Sequence, residues 1–304
     1  MRVGAARTLA LLAAAVTAGA QELEPRAYAP NPNGVNFVLL AYGHTGGSVV
    51  ADPSLPFRDV EATVNSVALS YGRTFGLFGR STSAGFVAPY LWGAAEGAVG
   101  EERRRVTRSG LGDARLRLSV NLIGGPALEP RAFAVRTPRT TLGMSLVAVV
   151  PSGQYDPSKL INLGANRWAM KPELGVSHPR GAWYFELYAG GWLFADNPEF
   201  FGGSRREQAP IGTLQAHVSH TFRPRLWLAG DATYYYGGRT TVDGTRNTDL
   251  QRNSRLGLTF SLPVGRRSSL KVAWATGFTT TIGGDFATLS LAWQTLWFTR
   301  SDKP

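Results

Sequence analysis

The chain has 304 residues, among them 36 Gly, 18 Pro and no Cys, so disulfide scaffolds, thiolate metal sites and cysteine nucleophiles are excluded together. Thirty-two Lys and Arg against 21 Asp and Glu give a formal charge of +11. These cations are scattered singly through the chain and form no long basic face, which argues against nucleic acid and for lipid phosphate or an anionic solute.

Met1 to Ala20 places Arg2 and Arg7 before the apolar run Leu9 to Val16 and ends on Ala18-Gly-Ala20. That order is a secretory signal peptide cleaved after Ala20; a buried N-terminal helix is the alternative reading of the same apolar run. Residues 21–33, rich in Pro and charge, form an N-terminal extension or plug. Beyond Ala20 no run approaches the about 18 apolar residues of a spanning helix.

Twelve segments of period two follow: 34–42, 61–71, 83–95, 113–122, 141–150, 168–178, 183–195, 212–222, 226–236, 255–262, 268–279 and 285–298. Their length, roughly ten residues, is what a tilted strand needs to cross a bilayer. In the fourth, Ala114, Leu116, Leu118, Val120 and Leu122 share one face, while Asp113, Arg115, Arg117, Ser119 and Asn121 share the other. Alternation alone fits a soluble sandwich with its charges outward as well as a membrane barrel with its charges inward.

Three further observations choose the barrel. Links after even-numbered strands are short (179–182, 223–225, 263–267), with 123–140 a longer exception, whereas those after odd-numbered strands are long and polar (43–60, 96–112, 151–167, 196–211, 237–254). Trp168, Trp183, Tyr184, Trp192, Trp227, Tyr234, Tyr235, Tyr236, Trp293 and Trp297 fall toward strand ends, as in an interfacial aromatic girdle. The last segment closes on Trp297-Phe298, before a polar tail at 299–304. The expected fold is therefore all-β: a transmembrane antiparallel β-barrel of about 12 strands over 34–298. Such a barrel is narrower than the open porins of 16 to 18 strands, and its lumen should be partly filled.

By parity the lumen receives Asp113, Arg115, Arg117, Lys171, Glu173, Tyr184, Glu186, Tyr188, Gln215, His217, Asp231, Tyr235, Arg255 and Lys271. They either pair into a polar wall or form a constriction that selects small aromatic or anionic solutes. The stretch 151–167, with Tyr155, Asp156, Lys159, Asn162, Asn166 and Arg167, lies outside the cell as a movable lid or a rigid pin over the mouth. His217-Val-Ser219 would suit a lipid hydrolase only if it faced lipid, and parity turns it inward. No cofactor is implied, and the dispersed histidines have no metal-ligand spacing. Arg103-Arg-Arg105 and Arg108 are a solvated loop or a clamp on lipopolysaccharide phosphates.

Gly110-Leu-Gly-Asp113, Pro151-Ser-Gly-Gln-Tyr-Asp156, Leu160-Ile-Asn-Leu-Gly-Ala-Asn-Arg-Trp168, Gly237-Gly-Arg-Thr-Thr-Val-Asp-Gly244 and Asn253-Ser-Arg-Leu-Gly257, in that order, are fairly specific. Together they make the chain resemble the outer-membrane transporter family of the meta-pathway of phenol degradation, over residues 33–298. The resemblance implies a Gram-negative outer-membrane barrel that takes up aromatic, phenol-like compounds, and it fixes no binding residue. The expected function is a non-enzymatic channel whose partners are outer-membrane lipid and lipopolysaccharide, a small hydrophobic solute and the barrel-assembly machinery. A structural barrel without transport is the alternative, and a lipid hydrolase stands third.

Overall fold

The computed structural model describes residues 24–50, 57–99 and 102–299; the stretch 1–20 expected as a signal peptide, the start of the extension at 21–23 and tail residues 300–304 lie outside them. The strands are β1 (Val35–Val50), β2 (Phe57–Leu77), β3 (Arg80–Val99), β4 (Glu102–Leu111), β5 (Ala114–Ile123), β6 (Thr141–Val150), β7 (Ala169–Arg180), β8 (Trp183–Phe194), β9 (Asn197–Phe200), β10 (Ser204–Gln208), β11 (Ile211–Arg223), β12 (Leu226–Gly237), β13 (Thr240–Val242), β14 (Thr245–Arg246), β15 (Gln251–Val264), β16 (Ser268–Thr279) and β17 (Gly283–Phe298). One short helix, α1 (Pro130–Ala134), lies in the long link between β5 and β6.

Twelve of these strands close into an antiparallel barrel in the order β1, β2, β3, β5, β6, β7, β8, β11, β12, β15, β16, β17. The seam is a full ladder from Val35 opposite Phe298 to Val50 opposite Gly283. Closure is forced, because in hydrocarbon an unpaired N–H or C=O costs several kcal/mol and an open edge would expose a whole row of them. All twelve expected segments are strands. Apart from the long β5–β6 link, tight turns join them at one rim; at Phe78-Gly79 both residues have positive φ, 49° and 72°, the geometry whose twist suits a two-residue hairpin.

The burial pattern shows which solvent each face meets. Along β11, Gln215, His217 and Ser219 are 2%, 1% and 0% exposed, while the interleaved Leu214 and Val218 are 48% and 42% exposed. Apolar side chains thus face outward and polar ones are buried, the reverse of a soluble sandwich.

The stretch 96–112, expected as a loop, is largely ladder. β4 pairs with the outer half of β3 and β5 with its inner half, the two parts separated only at Gly112-Asp113. Above the bilayer both faces meet water, so the pairing continues while the hydrophobic period that marks it fades. Trp192 and Trp227 also depart from the expected girdle. They are in phase with Tyr188 and Asp231 and lie buried inside, because nearness to a strand end does not decide which face a ring occupies. Two long external loops contribute a separate four-stranded sheet, β14-β13-β10-β9, over the mouth.

Candidate functional site: the barrel lumen and its external cap

The first described residues lie inside the barrel. The Arg26 amide donates to Glu186 Oε2 at 2.7 Å, its Nε to Ser219 Oγ at 3.0 Å and its Nη2 to Thr221 Oγ1 at 2.7 Å. Its guanidinium lies 4.7 Å from the ring centres of both Tyr184 and Trp227. Tyr28 meets Ser145 Oγ and donates to Glu173 Oε1, both at 2.9 Å, and its ring stands edge-on to Tyr188. Two glycines make its slot: a Cβ at Gly143 would come 2.3 Å from the Tyr28 ring, and one at Gly175 would come 2.1 Å from it. Neither glycine stands out in the sequence, since what it avoids is a residue more than a hundred positions away.

Around this segment the parity-selected residues form a connected wall. Glu173 Oε2 binds Lys171 Nζ and Gln215 Nε2, each at 2.8 Å. His217 Nδ1 lies 2.7 Å from Asp231 Oδ1, while Thr259 donates to the other Asp231 oxygen at 3.0 Å. Arg117 pairs with Glu24, Arg255 donates to the Phe286 carbonyl, and Lys271 lies near the Trp227 ring. Arg115 shares the inward face of β5 with Arg117, and Tyr235 packs against Ala169, Trp192 and Ile211 near the mouth. Asp113 sits higher and performs a different task, described below. Ser219 is engaged by Arg26 and the His217 ring rests on Tyr188, so the two face the lumen and no bond joins them.

Opposite this wall the described lumen lining of β1, β2, β3 and β17 is uncharged, its aliphatic groups interspersed with hydroxyls such as Ser66, Ser70 and Ser290. Register carries the inward face from Arg117 to Gly85, from Gly85 to Gly72 and from Gly72 to Phe37. In phase with these lie Leu39, Ala41, Val87 and Leu91, followed around the barrel by Ala292 and Ala273. These side chains are partly exposed, as are Arg115, Arg117 and Lys271, whereas Lys171, Glu173, Glu186, Gln215, His217 and Asp231 are buried. The passage therefore runs between the inserted segment and a lining of small and aliphatic groups.

The external stretch 151–167 is held at many points. Asp113, at the break between β4 and β5, accepts from the Gly153 amide at 2.9 Å and the Ala165 amide at 2.8 Å. Asn162 ties the loop to itself through the amide of Asp156 and the carbonyls of Asp156 and Lys159. Tyr155 donates to the Glu199 carbonyl, Asn197 donates to Tyr155, and Asn166 donates to Asn197. Arg167 donates to Gln208, and Arg108 reaches the Ile161 carbonyl. Of the two expectations, this geometry favours the pin. Asn197, Arg206 and Gln208 had no sequence signal, because they lie where the period is lost.

Asp156 receives Lys159 at 2.8 Å and both the hydroxyl and amide of Ser158; these bonds, that of Lys159 first, hold its carboxyl down at about 2. Because the folded value lies below the ordinary one, the turn's stabilisation is present above the usual Asp range and is lost as pH falls through about 2. The Ser158 amide resonance should titrate with that midpoint; a midpoint at the ordinary Asp value would show that the turn does not persist in solution.

The family model described as "Putative MetA-pathway of phenol degradation" matches residues 42–293. The chain belongs to that family. Among solved structures, an outer membrane channel from Pseudomonas putida F1 resembles this member at a TM-score of 0.76 with 20% identity, covering 91% of this chain and 100% of that one. The CymD monoaromatic hydrocarbon channel gives a TM-score of 0.45 with 7% identity over 90% of each chain. The beta domain of the Bordetella autotransporter BrkA gives 0.49 with 10% identity, covering 87% of this chain and all of that one. No curated protein matches the chain. At this identity the Pseudomonas channel shows the fold, which is that of an outer-membrane barrel.

Proposed function

We propose that this phenol-degradation family member is an outer-membrane channel for the uptake of small hydrophobic or aromatic compounds. The observation that carries this reading is the two-sided lumen. A hydrophilic solute gains nothing from the wall of Phe37, Leu39, Ala41, Val87 and Leu91, whereas an aromatic ring buries apolar area against it at about 25 cal/mol per Å². The wall on the other side is tied to the inserted segment through Glu186 and Glu173. No part of the reading requires catalysis or a cofactor. Removal of the signal peptide after Ala20 and insertion by the barrel-assembly machinery belong to the same proposal. So does contact with lipopolysaccharide: Arg103 and Arg105 both reach Glu96 on the part of the β3–β4 hairpin that projects above Tyr42, Tyr90 and Trp92.

The test is growth of a deletion strain on phenol-like carbon sources at limiting concentration. Complementation by the intact gene should restore growth, and Ala41→Trp, which places a large ring in the passage, should slow uptake by about tenfold on the scale of an overpacked site. Equal growth of the deletion and parent strains would overturn the proposal.

A further inference from the structure

Beneath the external cap, three guanidinium nitrogens find no acceptor among the described residues: Arg167 Nη1, Arg206 Nε and Arg206 Nη2. Both residues are buried, Arg206 at 5% and Arg167 at 9% exposure. Arg206 is paired in register with Val242 and with Asn197, also buried, so the three share the underside of the cap sheet. The Arg206 guanidinium lies 5.3 Å from the Phe200 ring centre and that of Arg167 4.6 Å from Phe194. Phe200 and Val242 in turn belong to an apolar cluster with Leu160 and Phe286, which joins the cap to the inner wall.

Nearby carboxylates do not complete the bonding. Asp249 acts on Arg206 through charge, but its two oxygens accept the Thr240 amide and hydroxyl. Asp196 acts on Arg167 while paired with Arg205, and Asp113 holds the loop amides. Desolvation, and after it the charge of Arg206, pushes Arg167 down to about 9; desolvation likewise lowers Arg206. Both remain protonated at neutral pH. Buried donors left without acceptors are costly, and a carboxylate accepts from guanidinium edges through both oxygens.

We infer that Arg167 and Arg206 form a subsite for the carboxylate of an aromatic acid, whose ring rests against the Phe200 and Phe286 cluster. The inference rests on the uptake reading and narrows its substrate class to aromatic monocarboxylates taken at the external mouth. A neutral phenol would pass the same apolar wall without using the arginines.

The test is calorimetric titration of the folded full-length protein in detergent with benzoate and, as the neutral comparison, phenol. Arg167→Gln and Arg206→Gln should each weaken benzoate binding about tenfold or more, the range for a lost charged hydrogen bond. Retention of the heat-modifiable gel shift checks the fold. Should a Gln variant fail to fold, Arg206→Lys serves instead: it keeps the charge, loses the fork and should weaken benzoate binding partially. Benzoate binding that is absent from the wild type, or equal in wild type and variants, would overturn the subsite. If cellular uptake of phenol nevertheless depends on the protein, the channel reading stands without it. Arginine-dependent benzoate binding with uptake independent of the protein would instead sustain the subsite and sink the channel.

Discussion

Deleting residues 24–32 is expected to raise single-channel conductance by about an order of magnitude, since a barrel of twelve strands is wide enough to conduct once its filling is removed. The segment occupies the lumen through Arg26, bonded to Glu186, Ser219 and Thr221, and through Tyr28, seated on Gly143 and Gly175. None of these contacts belongs to the inter-strand ladder, so the barrel should still close. The vacated wall would hydrate, Glu173 would keep Lys171 and Gln215, and Glu186 would meet water in place of the Arg26 amide. Tyr28→Ala is the milder version. It removes the ring between Gly143 and Gly175 but leaves the Arg26 bonds, so it should give a smaller rise and noisier openings. Planar-bilayer recording of the purified protein decides the matter: a deletion that conducts like the wild type would mean that the segment does not limit the passage.

This inserted segment also marks where the sequence stopped being legible. Strand number, inward parity and closing strand could all be read, because each rests on a period of two imposed by two different solvents. On β11, Leu214 and Val218 against Gln215, His217 and Ser219 carry that signal without help from the rest of the chain. Partner choice within the lumen has no such period. That Glu173 would serve Lys171, Gln215 and Tyr28 at once depends on barrel stagger and on a segment that enters from the chain's beginning. The same holds for Asp113: parity turned it inward, but its role as the clamp on Gly153 and Ala165 follows from the break between β4 and β5. Outside the membrane the signal fails altogether, which is why β4 and the cap sheet carrying Arg206 went unseen. Trp192 and Trp227 show the reverse error, in which residue type suggested the girdle while parity placed both rings inside.

The hub at Glu173 supplies the second large effect. Its side chain and that of Lys171 are each 6% exposed and 2.8 Å apart, with Gln215 and Tyr28 as further donors. Glu173→Ala takes the carboxylate away from a buried ammonium and from Gln215, and leaves the Tyr28 hydroxyl with Ser145 alone, so the folded barrel should lose about 3–5 kcal/mol, the usual cost of removing one partner of a buried pair. Replacing both partners, Lys171→Met with Glu173→Leu, removes the buried ammonium as well and should recover most of that loss, leaving about 1 kcal/mol for the severed Tyr28 and Gln215 bonds. Urea unfolding in lipid vesicles, followed by tryptophan fluorescence, measures all three proteins. A double variant as unstable as Glu173→Ala would locate the cost in the lost bonds of Tyr28 and Gln215 rather than in the buried charge of Lys171. Near-equality of Glu173→Ala and wild type would mean that lumen water already screens the pair. Conductance separates the contributions further, because Tyr28 loses its carboxylate in both variants: if Glu173 anchors the inserted segment, both should open more often than wild type, whatever their relative stability.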